Sequence, residues 1–116
     1  MWGSEPSVTP ADETEGAIMN QYLVEFDLPD SFTEQFISLI PEQRAQVNKL
    51  MRSGKLSNYA LSLDRKKLWA FFRGENEQDI VSIINTFPLI NYMQPTIHEL
   101  MFHENVFLQF PVMSLN

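Results

Sequence analysis

The sequence predicts one α+β domain of ferredoxin-like type between Met19 and His103, in the order strand, helix, strand, strand, helix, strand. Two observations predict it. Four short segments read as strands, the first with clean alternation of apolar and polar residues, and two segments carry apolar residues at helical spacing. The 116 residues are enough for one domain, and 44% hydrophobic against 20% charged residues is an ordinary globular balance. We therefore expect an antiparallel sheet with both helices on one face.

The first strand and the first helix occupy the segment before Gly54. The first strand is predicted over Gln21 to Leu28, where every second residue is apolar; these are Tyr22, Val24, Phe26 and Leu28. The first helix is predicted over Phe32 to Ser53, but it contains Pro41. Because proline removes a backbone hydrogen bond inside a helix, we expect a short helix followed by a new helix that begins at Pro41. Gly54 is a typical stop for its C-terminus.

A hairpin and a second helix follow. The segments Leu56 to Leu63 and Leu68 to Arg73 are predicted as two strands on either side of a polar turn at residues 64–67. Asn76 is a good N-cap for the second helix, and Pro88 ends that helix.

The last strand is predicted at an edge of the sheet, over Asn91 to Phe102. Pro95 lies inside it, and a proline cannot donate to a central ladder. The segment Leu68 to Phe72 is instead apolar throughout, as expected for a central strand that is buried on both faces. Since the chain offers no third layer, we expect a homodimer or higher homo-oligomer that pairs through the open sheet face. The alternative is a monomer that leaves an apolar face exposed.

The two ends of the chain differ in composition. Residues 1–18 contain prolines and acids without apolar periodicity, which predicts a disordered leader or extension. A true start at Met19 and a tag remnant are the alternatives. The tail from Glu104 to Asn116 is apolar, so we expect it to pack on its own subunit or on a neighbouring one.

Charge and cysteine usage exclude several classes of function. The net charge of -7 argues against a nucleic-acid binder and against binding to an anionic membrane surface. There is no cysteine, which fits a reducing cytoplasm and removes thiol catalysis and Cys-based zinc sites. No segment approaches the roughly 18 consecutive apolar residues of a membrane span. These features predict a cytoplasmic protein without nucleic-acid or membrane partners.

The candidate site residues are polar side chains expected near the open face. Glu25 and Asp27 project from the first strand away from its apolar row, and a half-buried Glu25 with a raised pKa would serve as a general base. Arg44 is a candidate anchor for a carboxylate ligand, and Tyr92 and His98 are expected to share a face of the last strand and to line the same cavity. The competing interpretation is that Asp27 ends a solvated strand and that Arg44 is a surface residue.

No metal or cofactor is predicted. His98 and His103 are expected on opposite faces of the last strand, so they cannot together bind one metal ion within a chain. The sequence also lacks a glycine-rich phosphate loop and a nucleophile elbow.

The segment Thr86-Phe87-Pro88-Leu89-Ile90-Asn91-Tyr92-Met93 resembles the muconolactone isomerase family, in which a helix end and a proline turn lead through a Tyr-Met pair into the last strand. The resemblance extends over residues 19–103. It implies a dimeric α+β barrel that assembles into larger oligomers. It also implies cofactor-free movement of a double bond in a small carboxylated lactone, by proton abstraction and return. Arg44 and Tyr92 are the positions that match the family.

Three functions remain open from the sequence. The first is cofactor-free acid–base isomerisation of a small carboxylated lactone, with Glu25 as base. The alternative is a non-catalytic or small-ligand-binding dimeric barrel, which is favoured because residues 27–30 lack the histidine of the corresponding family segment. A third, cofactor-free oxygenation of a polycyclic substrate, would need a roomy aromatic pocket.

Overall fold

The computed structural model describes residues 19–104, which form a four-stranded antiparallel sheet and two helices. The strands are β1 (Asn20–Asp27), β2 (Leu56–Leu61), β3 (Lys67–Gly74) and β4 (Gln94–Leu100). The helices are α1 (Glu34–Arg52) and α2 (Glu77–Ile84), and a 3-10 turn spans Ile90–Tyr92. The element order confirms the predicted ferredoxin-like α+β fold.

The sheet order is β2-β3-β1-β4, so β3 and β1 are central and β4 is an edge strand. This confirms the central position of the third strand and the edge position of the strand that contains Pro95. The last strand is shorter than predicted. It begins at Gln94 because the preceding residues form the 3-10 turn, and it ends at Leu100. The second strand likewise ends at Leu61.

One face of the sheet carries the core. Alternate residues of β1 and β3 are buried against the helices; they are Tyr22, Val24, Phe26, Leu68, Ala70 and Phe72. Phe87, in the loop after α2, packs at the centre of this layer. Its ring centroid lies 5.7 Å from that of Phe26, 6.1 Å from that of Phe72 and 6.5 Å from that of Tyr59. Ile80 and Ile84 of α2 and Val47 of α1 belong to the same cluster.

The first helix is continuous, and the predicted break at Pro41 is wrong. The helix begins after Thr33, whose Oγ1 accepts a hydrogen bond of 3.2 Å from the backbone N–H of Phe36. Pro41 lies inside the helix on its exposed side, where water can hydrate the carbonyl left without its usual donor. Burial of the opposite apolar stripe therefore outweighs the local cost of the proline.

The predicted stop at Gly54 is confirmed. Gly54 adopts a φ of +80°, a left-handed conformation that glycine accepts without steric cost. Its N–H donates to the Met51 carbonyl at 3.1 Å, and the Lys55 N–H donates to the Leu50 carbonyl at 3.0 Å. This pair of bonds is a Schellman motif, which satisfies the last free carbonyls of α1.

No helix among residues 19–104 combines the length and the apolar character needed to cross a membrane.

Replacing Pro41 by Ala should raise the free energy of unfolding. Proline in a helix interior costs about 3 kcal/mol relative to alanine, and part of this is offset by the stiffer unfolded chain, so we expect a gain of about 1–3 kcal/mol. Urea denaturation followed by circular dichroism measures it. Glu42→Ala, at the next exposed position of the helix, is the matched control. An unchanged or lowered stability of Pro41→Ala would contradict the account of the continuous helix.

Candidate functional site

A cavity of about 470 Å³ lies between α1 and the end of the sheet at which β1 and β2 finish. Its walls are mainly aliphatic and aromatic side chains, such as Phe36, Ile40 and Leu68. Four polar side chains also line it. They are Gln43, Arg44 and Asn48 from α1 and Tyr59 from β2. An apolar cavity of this size with a few polar groups is typical of a small-molecule site.

Gln43 joins three of the parts of the chain that enclose the cavity. Its side chain is 4% exposed and is the one buried polar side chain among residues 19–104. Its Nε2 donates to the hydroxyl of Tyr59 at 3.1 Å, and its Oε1 accepts from the backbone N–H of Leu89 at 3.1 Å. Helix α1, strand β2 and the loop before β4 are thereby held at fixed separations.

Tyr59 lines the cavity from β2, and its hydroxyl accepts the hydrogen bond from Gln43. Burial raises the pKa of Tyr59, while the hydrogen bond from Gln43 and the positive charge of Arg44 act in the opposite direction. The net shift keeps the phenol neutral at physiological pH.

Arg44, the predicted carboxylate anchor, lines the cavity from an exposed position of α1. A guanidinium group presents a planar set of donors that matches a carboxylate. The other walls are apolar, so the arrangement suits a ligand with one anionic end and an apolar body.

A charged cluster occupies the opposite, open face of the sheet. Lys67 Nζ lies 3.0 Å from a carboxylate oxygen of Glu25, and it also contacts the carboxylate of Asp27. The hydrogen bond from Lys67 is the main cause that lowers the pKa of Glu25, and a hydrogen bond from Trp69 acts in the same direction. The direction is opposite to the raised pKa expected from the sequence, because Lys67 stabilises the ionised form more than burial disfavours it.

The predicted site residues divide between the two faces. Glu25 and Asp27 lie on the open face, as does His98, whose register partner in β1 is Leu23. Arg44 and Tyr92 lie on the helix side. The structure therefore places Glu25 and Arg44 on opposite sides of the sheet.

The expectation that Tyr92 and His98 share a face of the last strand is wrong. Tyr92 belongs to the 3-10 turn, which forms because its N–H donates to the Leu89 carbonyl at 2.9 Å. Its ring packs edge-on against Phe36, with centroids 5.6 Å apart. Tyr92 thus packs against Phe36, which lines the cavity, and does not line the cavity itself.

The two histidines do not diverge as predicted. The strand ends at Leu100, and the chain then returns His103 over the open face. The ring of His103 stacks on Phe71 with centroids 4.3 Å apart, and its Nδ1 lies 2.9 Å from Oε1 of Gln21. Within residues 19–104 no group of three or more His, Cys, Asp or Glu side chains is placed to hold a metal ion.

Sequence reasoning missed Gln43 and Tyr59. Gln43 had a usable signal, since it falls in the buried stripe of α1 that contains Phe36, Val47 and Leu50. Tyr59 had none. A bulge at Ser57 shifts the register, so Leu56 and Tyr59 both face the helices although strict alternation would place them on opposite faces.

Comparisons with known proteins identify the family of the chain. No curated protein matches the chain. The family model described as muconolactone delta-isomerase matches residues 20–106, which include every strand and helix of the fold. On this match the chain belongs to the muconolactone delta-isomerase family.

Proposed function

We propose that the protein binds a small, largely apolar carboxylate in the cavity between α1 and the sheet, with Arg44 as the anchor of the carboxylate. The observation that carries the proposal is that Arg44 lines a cavity whose walls are otherwise mainly apolar. Such a cation contributes charge-assisted hydrogen bonds, and the aliphatic and aromatic walls contribute burial of the ligand body.

Family membership suggests the ligand class. Muconolactone, which the family is named for, is a small unsaturated lactone with a carboxylate, and it combines the two features that the cavity accommodates. A volume of about 470 Å³ lies inside the range of small-molecule sites.

A second candidate function is acid–base isomerisation at the open face. Isomerisation of a lactone needs a base that removes a proton and an acid that returns it. Among the described residues that line the cavity, none is an Asp, Glu or His, whereas Glu25, Asp27 and His98 all lie on the open face. This candidate has Glu25 as the base and requires the face to be closed against water.

Closure of the open face would come from a second copy of the chain. Leu23, Trp69 and Phe71 lie on this face and are only half-buried in the single chain. Apolar side chains grouped at the centre of an uncovered sheet face favour association with another chain. A second copy of the same sheet presents the same apolar face and can cover it. We propose a homodimer, or a higher oligomer built from it, that pairs through this face.

Replacing Arg44 by Ala should weaken muconolactone binding by about 10-fold to 100-fold, the loss expected when hydrogen bonds to a charged group are removed. Isothermal titration calorimetry measures the dissociation constant. Arg52→Ala, in the last turn of the same helix and outside the cavity wall, should bind as the wild type does. Equal affinity of the Arg44 and Arg52 variants would contradict the anchor role.

Replacing Glu25 by Gln separates the second candidate from the first. If Glu25 is the general base, the variant should lose about 10²-fold to 10⁴-fold of the rate of lactone isomerisation while it still binds in the cavity. A spectrophotometric assay of muconolactone turnover measures the rate, with Glu42→Gln on the exposed side of α1 as control. No turnover by the wild-type protein, or an unchanged rate in the Glu25 variant, would remove this candidate and leave the binding proposal intact.

Replacing Trp69 by Lys should yield a monomer. The lysine adds charge at the centre of the open face, and its register partner Glu25 offers it an ion pair within the folded chain. Light scattering coupled to gel filtration measures the mass. Ser82→Lys, at an exposed position of α2 on the other side of the molecule, should leave the mass of the oligomer unchanged. An oligomer of unchanged mass in the Trp69 variant would place the interface elsewhere.

A further inference from the structure

We infer that Tyr59 is a neutral hydrogen-bond donor of the cavity, and that its hydroxyl proton is directed to an oxygen atom of the bound ligand. This inference rests on the proposed function, because it requires that the cavity holds a ligand. It adds a second point of recognition to Arg44, and it narrows the ligand class to carboxylates that carry a further acceptor oxygen.

The argument begins at the backbone of Leu89. Its N–H can only donate, so the atom of Gln43 that lies 3.1 Å from it is the carbonyl oxygen Oε1. The amide nitrogen Nε2 must then face Tyr59, 3.1 Å away. The orientation of the amide is thus fixed by a backbone group that has no alternative role.

The consequence for Tyr59 follows from the inventory of donors and acceptors. Nε2 of Gln43 carries only protons, so the Tyr59 oxygen must accept. The proton of the hydroxyl is therefore left for another partner. Within residues 19–104 the hydrogen bond with Gln43 is the one that the hydroxyl makes, and the same side chain lines the cavity.

The hydroxyl is held in place on both sides. The Tyr59 ring packs edge-on against Phe87, with the two planes at 90°, and Gln43 is itself buried. A donor that is positioned before the ligand arrives loses little conformational entropy on binding. Burial, which raises the pKa of Tyr59, keeps the proton on the oxygen at physiological pH.

Arg44 and Tyr59 favour different acceptor groups on a ligand. Arg44 provides a full positive charge, which favours a carboxylate. Tyr59 provides one neutral donor, which suits a carbonyl or ring oxygen. A lactone with a carboxylate side chain presents both acceptors, whereas a simple cycloalkane carboxylate presents only the first. Discrimination between these two ligands therefore depends on the Tyr59 hydroxyl.

The test compares muconolactone with cyclopentylacetate, which keeps a five-membered ring and the carboxylate but lacks the lactone oxygens. Tyr59→Phe removes the hydroxyl and keeps the ring that packs on Phe87. It should weaken muconolactone binding by about threefold to tenfold, the loss of one neutral hydrogen bond, and change cyclopentylacetate binding by less than about twofold. Arg44→Ala should weaken both ligands.

Tyr22→Phe is the control, since the Tyr22 hydroxyl belongs to the start of β1, at the far end of the sheet from the cavity. Calorimetric titrations give the affinities, and thermal melts check that each variant is folded. If Tyr59→Phe does not fold, ¹⁹F NMR of the wild-type chain labelled with 3-fluorotyrosine replaces it. Muconolactone, and not cyclopentylacetate, should then shift the Tyr59 resonance.

Two results overturn the inference in distinguishable ways. Wild-type affinity of Tyr59→Phe for muconolactone, or equal shifts of the labelled resonance by both ligands, removes the role of Tyr59 and leaves the Arg44 site standing. If the wild-type protein binds neither ligand, the proposed function is wrong, and the role assigned to Tyr59 is then wrong as well.

Discussion

The amide of Gln43 connects elements that are distant in the sequence and adjacent in the fold. It bonds β2 through Tyr59 and the loop before β4 through Leu89, and it does so from a buried position on α1. A buried amide that lost one of these partners would leave a polar group unpaired, at a cost of about 1–3 kcal/mol. The packing of α1 on the sheet therefore has one favoured arrangement, and the cavity between them owes its shape to that arrangement.

The sheet is the second constraint, because its two faces carry different side chains. One face borders the apolar cavity, and the other carries charged residues. Side chains on neighbouring positions of β1 point to opposite faces, so Val24 and Phe26 enter the core while Glu25 lies between them on the open face. The helix side has an apolar cavity with one cation and neutral polar groups. The open face has paired carboxylates held by Lys67 together with exposed aromatic area. The proposed binding site and the candidate base Glu25 therefore lie on opposite sides of the sheet within one chain, which is why oligomer formation bears on the proposed catalytic role.

Sequence periodicity predicted the structure correctly where the burial of apolar side chains alone decides it. The alternation in β1 predicted a strand with one buried face, and the uniformly apolar third strand predicted its central position in the sheet. Gly54 was equally direct, since a left-handed residue at a helix end favours glycine. The predicted helix break at Pro41 was wrong because the cost of proline is local. The apolar stripe that keeps α1 intact is buried by residues far along the chain. The predicted place of Tyr92 on the last strand was wrong because a turn closed by a hydrogen bond to Leu89 cannot be recognised from alternating apolar residues.

The sequence by itself determined the order of the elements, the edge position of the strand with Pro95, and the membership in the muconolactone delta-isomerase family. It also suggested Arg44, one of the two positions that match the family, and the structure places this residue in the lining of the cavity. Only the tertiary structure decided which candidates meet. The bulge at Ser57 brings Tyr59 to the helix side, and Gln43 then orients it. The physical reason is that periodicity reports on one segment at a time, whereas a bulge or a buried amide depends on hydrogen bonds between segments.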